Sequence, residues 1–470
     1  MYSMFTPSHL RRLPAPLAAL ILSSCASTDP AGDINAAARL ATSHTGTQAT
    51  ASWQHNVDVP SSAWNGAAPL TREAAIAVAI ANNPKLRMSL AHIAQYRAEV
   101  AQATVLPNPT VAFGIGMAID GMTGAPAMAQ GIQALTWLWR RPHHIAQAEA
   151  QLQQAVLSTV SDTVQLAASV ELAHADVLCI QSLLDYDIQN QSITQETRRL
   201  ITRRHEVGEA AELDIDRAQV DVDQARLDVI ETRKRLTKAK LALLNQLGWP
   251  GHDTSWTASG AMTASRPIDS APEALLEIAA RQRLELAVKE AGIRAQVASL
   301  DLAETRRLPE INFTLQWQRS FGDRKAILPG AQITIPILDN GDPAIARAAA
   351  TLHHARMEWL DTANLVVLQV RDAIVGWNLS DQQVALSRNS LVPSASDALA
   401  RSQAAYAQGV IPLTTLLLAQ QQHIAAERTL MTQQLDVVKA LIDLRTAVGG
   451  TFETLPPPTW ATLDEQGDAS

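Results

Sequence analysis

The residues best equipped for chemistry are two adjacent histidine pairs, His143-His144 and His353-His354, with Glu358 one helical turn beyond His354. Imidazole nitrogen and carboxylate oxygen at i, i+4 share one helix face and are donors for a divalent metal. A zinc site needs three or four ligands. No third donor follows at helical spacing, so no metal is expected there. Met117, Met122 and Met128 lie in and around the Gly-containing loop from Asp120 to Gln130. Thioethers suit soft metals, and they fill apolar gaps equally well. No nucleophile elbow, phosphate-binding loop or cysteine cluster occurs, so the chain is not expected to be an enzyme or to need a cofactor. Cys179 is the lone cysteine besides Cys25; it reads as a small core residue, and no disulfide is expected.

Residues 1–24 read as an export signal. Arg11 and Arg12 form a basic segment, Leu13 to Leu22 a short apolar one, and Leu22-Ser23-Ser24-Cys25 matches a lipobox. In bacterial lipoproteins that cysteine becomes the first mature residue and carries lipid. Acyl chains of the palmitate class on Cys25 would anchor the chain with about 0.8 kcal/mol per buried methylene. A plain signal peptide with an incidental cysteine is the alternative. Ala26 stands where lipoproteins retained in the inner membrane carry Asp, which by resemblance points to the outer membrane. No apolar run of about 20 residues is seen, so no transmembrane helix is expected. The net charge of −8, without a basic stripe, argues against nucleic acid as a partner.

The element that positions the first histidine pair is a stretch from His143 to Val207 with neither Gly nor Pro. As one helix it would be about 97 Å long at 1.5 Å per residue. Leu152, Val156, Val160, Val164, Ala167, Val170, Ala173, Val177, Ile180, Leu184 and Ile188 recur three or four apart along it, which is a coiled-coil seam. A turn at Gly208 leads into a helix from Glu209 to Leu247. Upstream, residues 25–69 read as a lipidated extended tether with Trp53 and Trp64 as isolated anchors, followed by helices from Thr71 to Asn82 and from Pro84 to Leu106. Residues 110–139 read as a strand pair: Val111, Phe113, Ile115, Met117 and Ile119 alternate with small residues, and a second strand spans about Gly131 to Trp139.

The order then begins again. After a polar linker at 251–271 comes a second unit, 272–450, with a helix to Leu308, a strand pair at 310–338, a helical stretch from Pro343 to Gln408 interrupted at Gly376 and Pro393, a tip at Gly409, and a helix from Leu413 to Val448. The first unit is 70–250 with its tip at 208, and 451–470 reads as a disordered tail. In each half the two shorter helices together match the long one to within about five residues, so one long helix is expected beside two stacked end to end.

Four strands that alternate bulky apolar residues with Asn, Thr and Gln suit lipid outside and water inside. Trp137, Trp139, Trp317 and Phe321 fall at strand ends, where an aromatic girdle belongs. Four strands cannot close in lipid and open edges are forbidden there. A homotrimer would pool twelve. The expected class is therefore mainly α with a membrane β-barrel portion: a long α-helical coiled-coil barrel, four strands per chain and duplicated halves.

At this point the chain resembles the TolC-type outer-membrane efflux channel family. The resemblance rests on "LTREAAIAVAIANNP", on the junctions "LPNPTVAFGIGM" and "LPEINFTLQW", and on the tips "RRHEVGEAAELDIDRAQ" and "AAYAQGVIPLTTLLLAQQQ". It covers about residues 69 to 450. It implies the outer-membrane channel of a tripartite efflux system: a trimer in outer-membrane lipid whose tunnel extends into the periplasm, partnered by a periplasmic adaptor and an inner-membrane pump. It implies adaptor contact at Val207, Gly208, Glu209, Gln408, Gly409 and Val410, and a periplasmic gate at Asp214 and Tyr406. The family's Arg two residues after the second tip glycine is replaced by Ile411, and Arg203 and Arg204 are candidates to take over its charge. Thr415 and Leu418 stand where some members carry acidic rings. Cargo is expected to be heavy-metal cations or drugs. The competing expectation is a passive coiled-coil lipoprotein scaffold of the envelope.

Overall fold

The computed structural model describes residues 27–47, 53, 64, 66, 68–117, 124–260 and 271–450. The signal segment, Cys25, Met122, most of the second half of the 251–271 linker and the 451–470 tail lie outside the described residues. In order, the elements are α1 (Ala31–Thr45), α2 (Arg72–Asn82), α3 (Pro84–Thr104), β1 (Thr110–Ile115), β2 (Ala127–Ala134), α4 (Trp137–Glu206), α5 (Glu212–Gln246), α6 (Pro272–Gln282), α7 (Leu284–Glu304), β3 (Glu310–Arg319), β4 (Lys325–Thr334), α8 (Asp342–Leu386), α9 (Val392–Ala407) and α10 (Leu413–Val448).

The expected extended tether is corrected. It contains α1, whose Ala37, Ala38 and Ala41 are fully buried. An Ala face packs closely enough to hold a short helix against the body, a signal that polar composition hides. The adjoining linker is also packed: the Leu70 N–H donates to the Thr257 carbonyl and the Leu70 carbonyl accepts the Ser259 N–H across the 70/258 bridge, and Trp64 lies against Trp249 and Trp256.

The chain forms two compact units. One comprises Met1–Asp33, Ala91–Leu157 and Ala287–Leu360 and contains the sheet. Its strands pair antiparallel in the order β1-β2-β3-β4. The register aligns Val111, Phe113 and Ile115 with Gly131, Ala129 and Ala127, these with Leu315, Trp317 and Arg319, and these in turn with Pro329, Ile327 and Lys325. Directly opposed residues share a face. One face is therefore mostly apolar, while the other carries Thr110, Gln130, Asn312, Thr314, Gln316, Gln318, Gln332 and Thr334. The apolar side chains are uncovered, Phe113 by 79%.

The second strand lies four residues earlier than its pattern suggests, and Trp137 and Trp139 belong to the first turn of α4. Thr136 makes the break. Its hydroxyl accepts the Ile311 N–H at 2.7 Å, and its backbone N–H donates to the Ile311 carbonyl, so the chain leaves the sheet there. Pro142 is consequently inside α4, in its second turn, where the ring removes the bond that an N–H would give the Leu138 carbonyl. Ile335 and Ile337 lie beyond β4, and Gly376 does not interrupt α8. The break before Pro393 is a π turn, Ser387–Leu391, which makes room for the proline ring.

The other unit comprises Ile34–Leu90, Ser158–Leu286 and Asp361–Ser470. Two similar joins organise it. Asn83 Nδ2 donates to the Gln246 carbonyl, so the end of α5 abuts the start of α3. Arg283 donates to the Thr446 and Ala447 carbonyls, so the end of α10 abuts the start of α7. Gly248 and Gly449 are left-handed at φ 79° and 97°, and a β-carbon on either would strike the facing backbone of Asn82 or Gln282. Only glycine meets both demands. The α4 seam is buried at Val160, Val170 and Val177, but then swings to Cys179, Leu183 and the polar Asp187, Asn190 and Thr194, leaving Ile188 exposed. Cys179 is a core residue, its thiol pushed up to about 11 chiefly by burial. By length and composition α4 also contains a window apolar enough to cross a bilayer, at mean hydropathy 1.3, contrary to expectation.

Candidate functional site

The two helix tips share one geometry. At the first, Gly208 takes φ 80°, its N–H donates to the His205 carbonyl, and the Glu209 N–H donates to the Arg204 carbonyl at 2.7 Å. At the second, Gly409 takes φ 71°, its N–H donates to the Tyr406 carbonyl, and the Val410 N–H donates to the Ala405 carbonyl at 2.9 Å. This is a Schellman closure, which satisfies the last carbonyls of a helix and requires a left-handed residue after its end. Arg203 and Arg204 in the last turn of α4 oppose the negative end of its dipole. Val207, Gly208, Glu209, Gln408, Gly409 and Val410 are all exposed. A β-carbon on either glycine would meet nothing, so the glycines serve the turn itself.

Beneath the tips one apolar cluster joins the hairpins: Ile201 of α4, Ala218 of α5, and Leu413 and Leu416 of α10, with Tyr406 packed on it. The Arg204 guanidinium lies over the Tyr406 ring, 4.7 Å from its centre, and its Nε is 3.4 Å from the Glu209 carboxylate. Thus a cation from the first tip sits on the aromatic residue of the second. Asp214 behaves differently. Its carboxylate accepts the Ala211 N–H at 3.3 Å and lies 3.9 Å from Arg217, so its contacts stay at the start of its own helix. The structure brings Tyr406 to Arg204 and leaves Asp214 as a local cap.

Four helical turns higher is a set of residues that sequence reasoning missed. Asp187 is 2% exposed on its side chain and receives Arg428 Nη2 at 2.8 Å and the Thr232 hydroxyl at 2.6 Å. Arg428 Nη1 reaches Asp228 at 3.2 Å. One guanidinium therefore ties α4, α5 and α10 together. The signal was in the repeat: Asp221 bonds Gln421 and Asp228 bonds Arg428, both pairs 200 residues apart. Corresponding positions of the two halves meet side by side, with opposite charges at the second.

The histidine pairs form no such site. Glu358 receives Lys289 at 3.3 Å, and among the described residues no three His, Cys, Asp or Glu side chains gather. Met128 pairs with Gly114 on the sheet, and Met117 is exposed. His174 is buried, and its Nε2–H donates to the Leu70 carbonyl at 2.8 Å; burial holds its pKa below the ordinary value.

Comparison with known proteins follows this architecture. The family model described as "Outer membrane efflux protein" matches residues 75–249 and 275–450. Protein CyaE of Bordetella pertussis is 23% identical over 270 residues, 56% of this chain and 57% of CyaE. The match thus spans little more than half of that relative. Among solved structures, that of CusC, described in terms of folding and transmembrane channel formation, superposes with a TM-score of 0.68 at 17% identity, over 81% of this chain and 92% of CusC. The outer membrane protein VceC of Vibrio cholerae gives 0.68 at 15%, over 81% and 97%. The MtrE outer membrane channel of Neisseria gonorrhoeae, in its open state, gives 0.65 at 17%, over 80% and 88%. At these identities the structural likenesses speak for the fold.

Proposed function

This chain belongs to the outer membrane efflux protein family, and from that premise we propose that it is the outer-membrane channel of a tripartite efflux system. The observation that carries the proposal is the sheet. One face presents Val111, Phe113, Leu315, Trp317, Ile327 and Ile333 uncovered, the other is polar, and β1 and β4 are edges. Lipid on the first face, water on the second and strands from other copies at the edges satisfy all three conditions. A trimer supplies twelve strands. Unpartnered apolar residues seven apart, Ile193 and Leu200 on α4 with Val207 just past its end, and Leu213, Val220 and Leu227 on α5, support helical supercoiling between copies. The similar joins at Gly248 and Gly449 support a duplicated chain. In this scheme Cys25 carries the lipid anchor. The exposed tips receive a periplasmic adaptor, an inner-membrane pump selects heavy-metal cations or drugs, and Tyr406 and Asp214 belong to the closed mouth.

The test is the mass of the detergent-solubilised protein and its conductance in planar bilayers. A trimer that conducts after its tips are opened by substitution is the expected result. A stable monomer sinks the channel, and a trimer silent after tip opening is the outcome that the scaffold alternative requires.

A further inference from the structure

We propose that the cleft between α4, α5 and α10 is a binding site for a small amphiphilic cation bearing a carbonyl, held by Asp221 and Gln420. The cleft has a volume of about 300 Å³, with Asn190 and Thr194 of α4 on one side. Its size falls at the lower end of sites that take small organic molecules. Ala218, Ala225 and Ile424 supply apolar wall.

Two polar groups in it are unmet. Gln420 is 9% exposed, and its Nε2 has no hydrogen-bond acceptor among the described residues. A buried amide N–H without an acceptor is costly, and a ligand carbonyl would meet it once the Gln420 side chain turns into the cleft. The second is Asp221. Of the acids around the cleft, Asp187 and Asp228 are neutralised by Arg428. Among the described residues Asp221 receives only the neutral Gln421 amide, at 3.3 Å. Partial burial raises its pKa, as expected for a carboxylate lacking a cation. The cleft therefore offers one negative charge, one N–H donor and apolar wall, which together specify an amine or ammonium with an apolar body and a carbonyl. An occupant joining Asp221 on α5 to Gln420 on α10 would tie together two helices of the tips and impede conduction, a consequence that rests on the channel proposal; the binding itself does not.

The test is calorimetry of the full-length detergent-purified protein with procainamide, which carries all three features, against N-ethylbenzamide, which lacks the amine. Saturable binding of procainamide is expected, with none by the neutral amide. Asp221→Asn is expected to weaken it at least about tenfold and Gln420→Leu about fivefold, from the usual worth of charged and neutral hydrogen bonds. Retained thermal unfolding profiles verify that both variants fold. No saturable binding, equal affinity in wild type and both variants, or equal binding of the neutral amide overturns the site. Absence of conductance after the tips are opened by substitution would count against the channel and leave the calorimetric result standing.

Discussion

Replacing Arg204 by Met removes the cation from the Tyr406 ring while keeping a flexible apolar side chain. The guanidinium lies 4.7 Å from the ring centre, and its side chain is 31% exposed. A cation–π contact is worth about 0.5–1 kcal/mol when exposed and about 2 when desolvated, so about 1 kcal/mol applies here. The Glu209 pair is mostly solvated and adds a few tenths of a kcal/mol, at most about 1. If the contact breaks as the mouth dilates, its loss shifts the closed-to-open equilibrium by roughly fivefold to tenfold. The assay is single-channel open probability in planar bilayers for Arg204→Met, Tyr406→Leu and the double variant. Each single substitution is expected to raise open probability. The double variant is expected to fall short of their sum by about 1 kcal/mol, the coupling of the pair. Tyr406→Phe keeps the ring and is expected to stay within about twofold of wild type. Additive single effects, or unchanged gating in both, would refute Arg204 as the substitute for the charge that Ile411 lacks.

Asp214→Ala removes the carboxylate that caps Ala211; it is expected to fray the start of α5 by about 1 kcal/mol and raise conductance, and unchanged gating would remove Asp214 from the mouth. Arg428→Met leaves Asp187 buried and unpaired and is expected to cost about 3 kcal/mol, read as a lower denaturant midpoint; a loss under about 1 kcal/mol would show water taking the cation's place. Leu315→Arg puts a charge on the apolar face of the sheet and is expected to cost about 2–4 kcal/mol if that face meets lipid; full recovery in outer-membrane fractions would count against it. His174 is held below its ordinary pKa by burial, which outweighs the Leu70 hydrogen bond. The unfolded chain therefore takes up its proton first, and stability falls as pH drops below about 6.5. His174→Gln is expected to flatten that slope, and an identical pH profile would show that other groups set it.

Local pattern determined a good deal. Absence of Gly and Pro between His143 and Val207 leaves a helix little choice but to continue, and Gly208 and Gly409 stop their helices because only glycine adopts the required φ without cost. Period two placed β3 nearly to the residue, since a face flips with every single-residue slip, and it placed the start of β1, which ends at Ile115, short of Met117. Where the outcome depended on residues far apart in the chain, local pattern was silent. Thr136 ends β2 through Ile311, which lies 175 residues away. Ala37, Ala38 and Ala41 become a helix face only once something covers them. The seam of α4 reads as an apolar stripe, but below Cys179 the buried side turns polar, because Asp187 is neutralised by a guanidinium 241 residues further on. Rods, strands and turns follow from neighbours within a few residues and are legible in the chain. Which charges meet, that Arg204 rests on Tyr406 and that Arg428 binds three helices, follows from long-range packing, because a buried ion pair is set by the packing that excludes water from it.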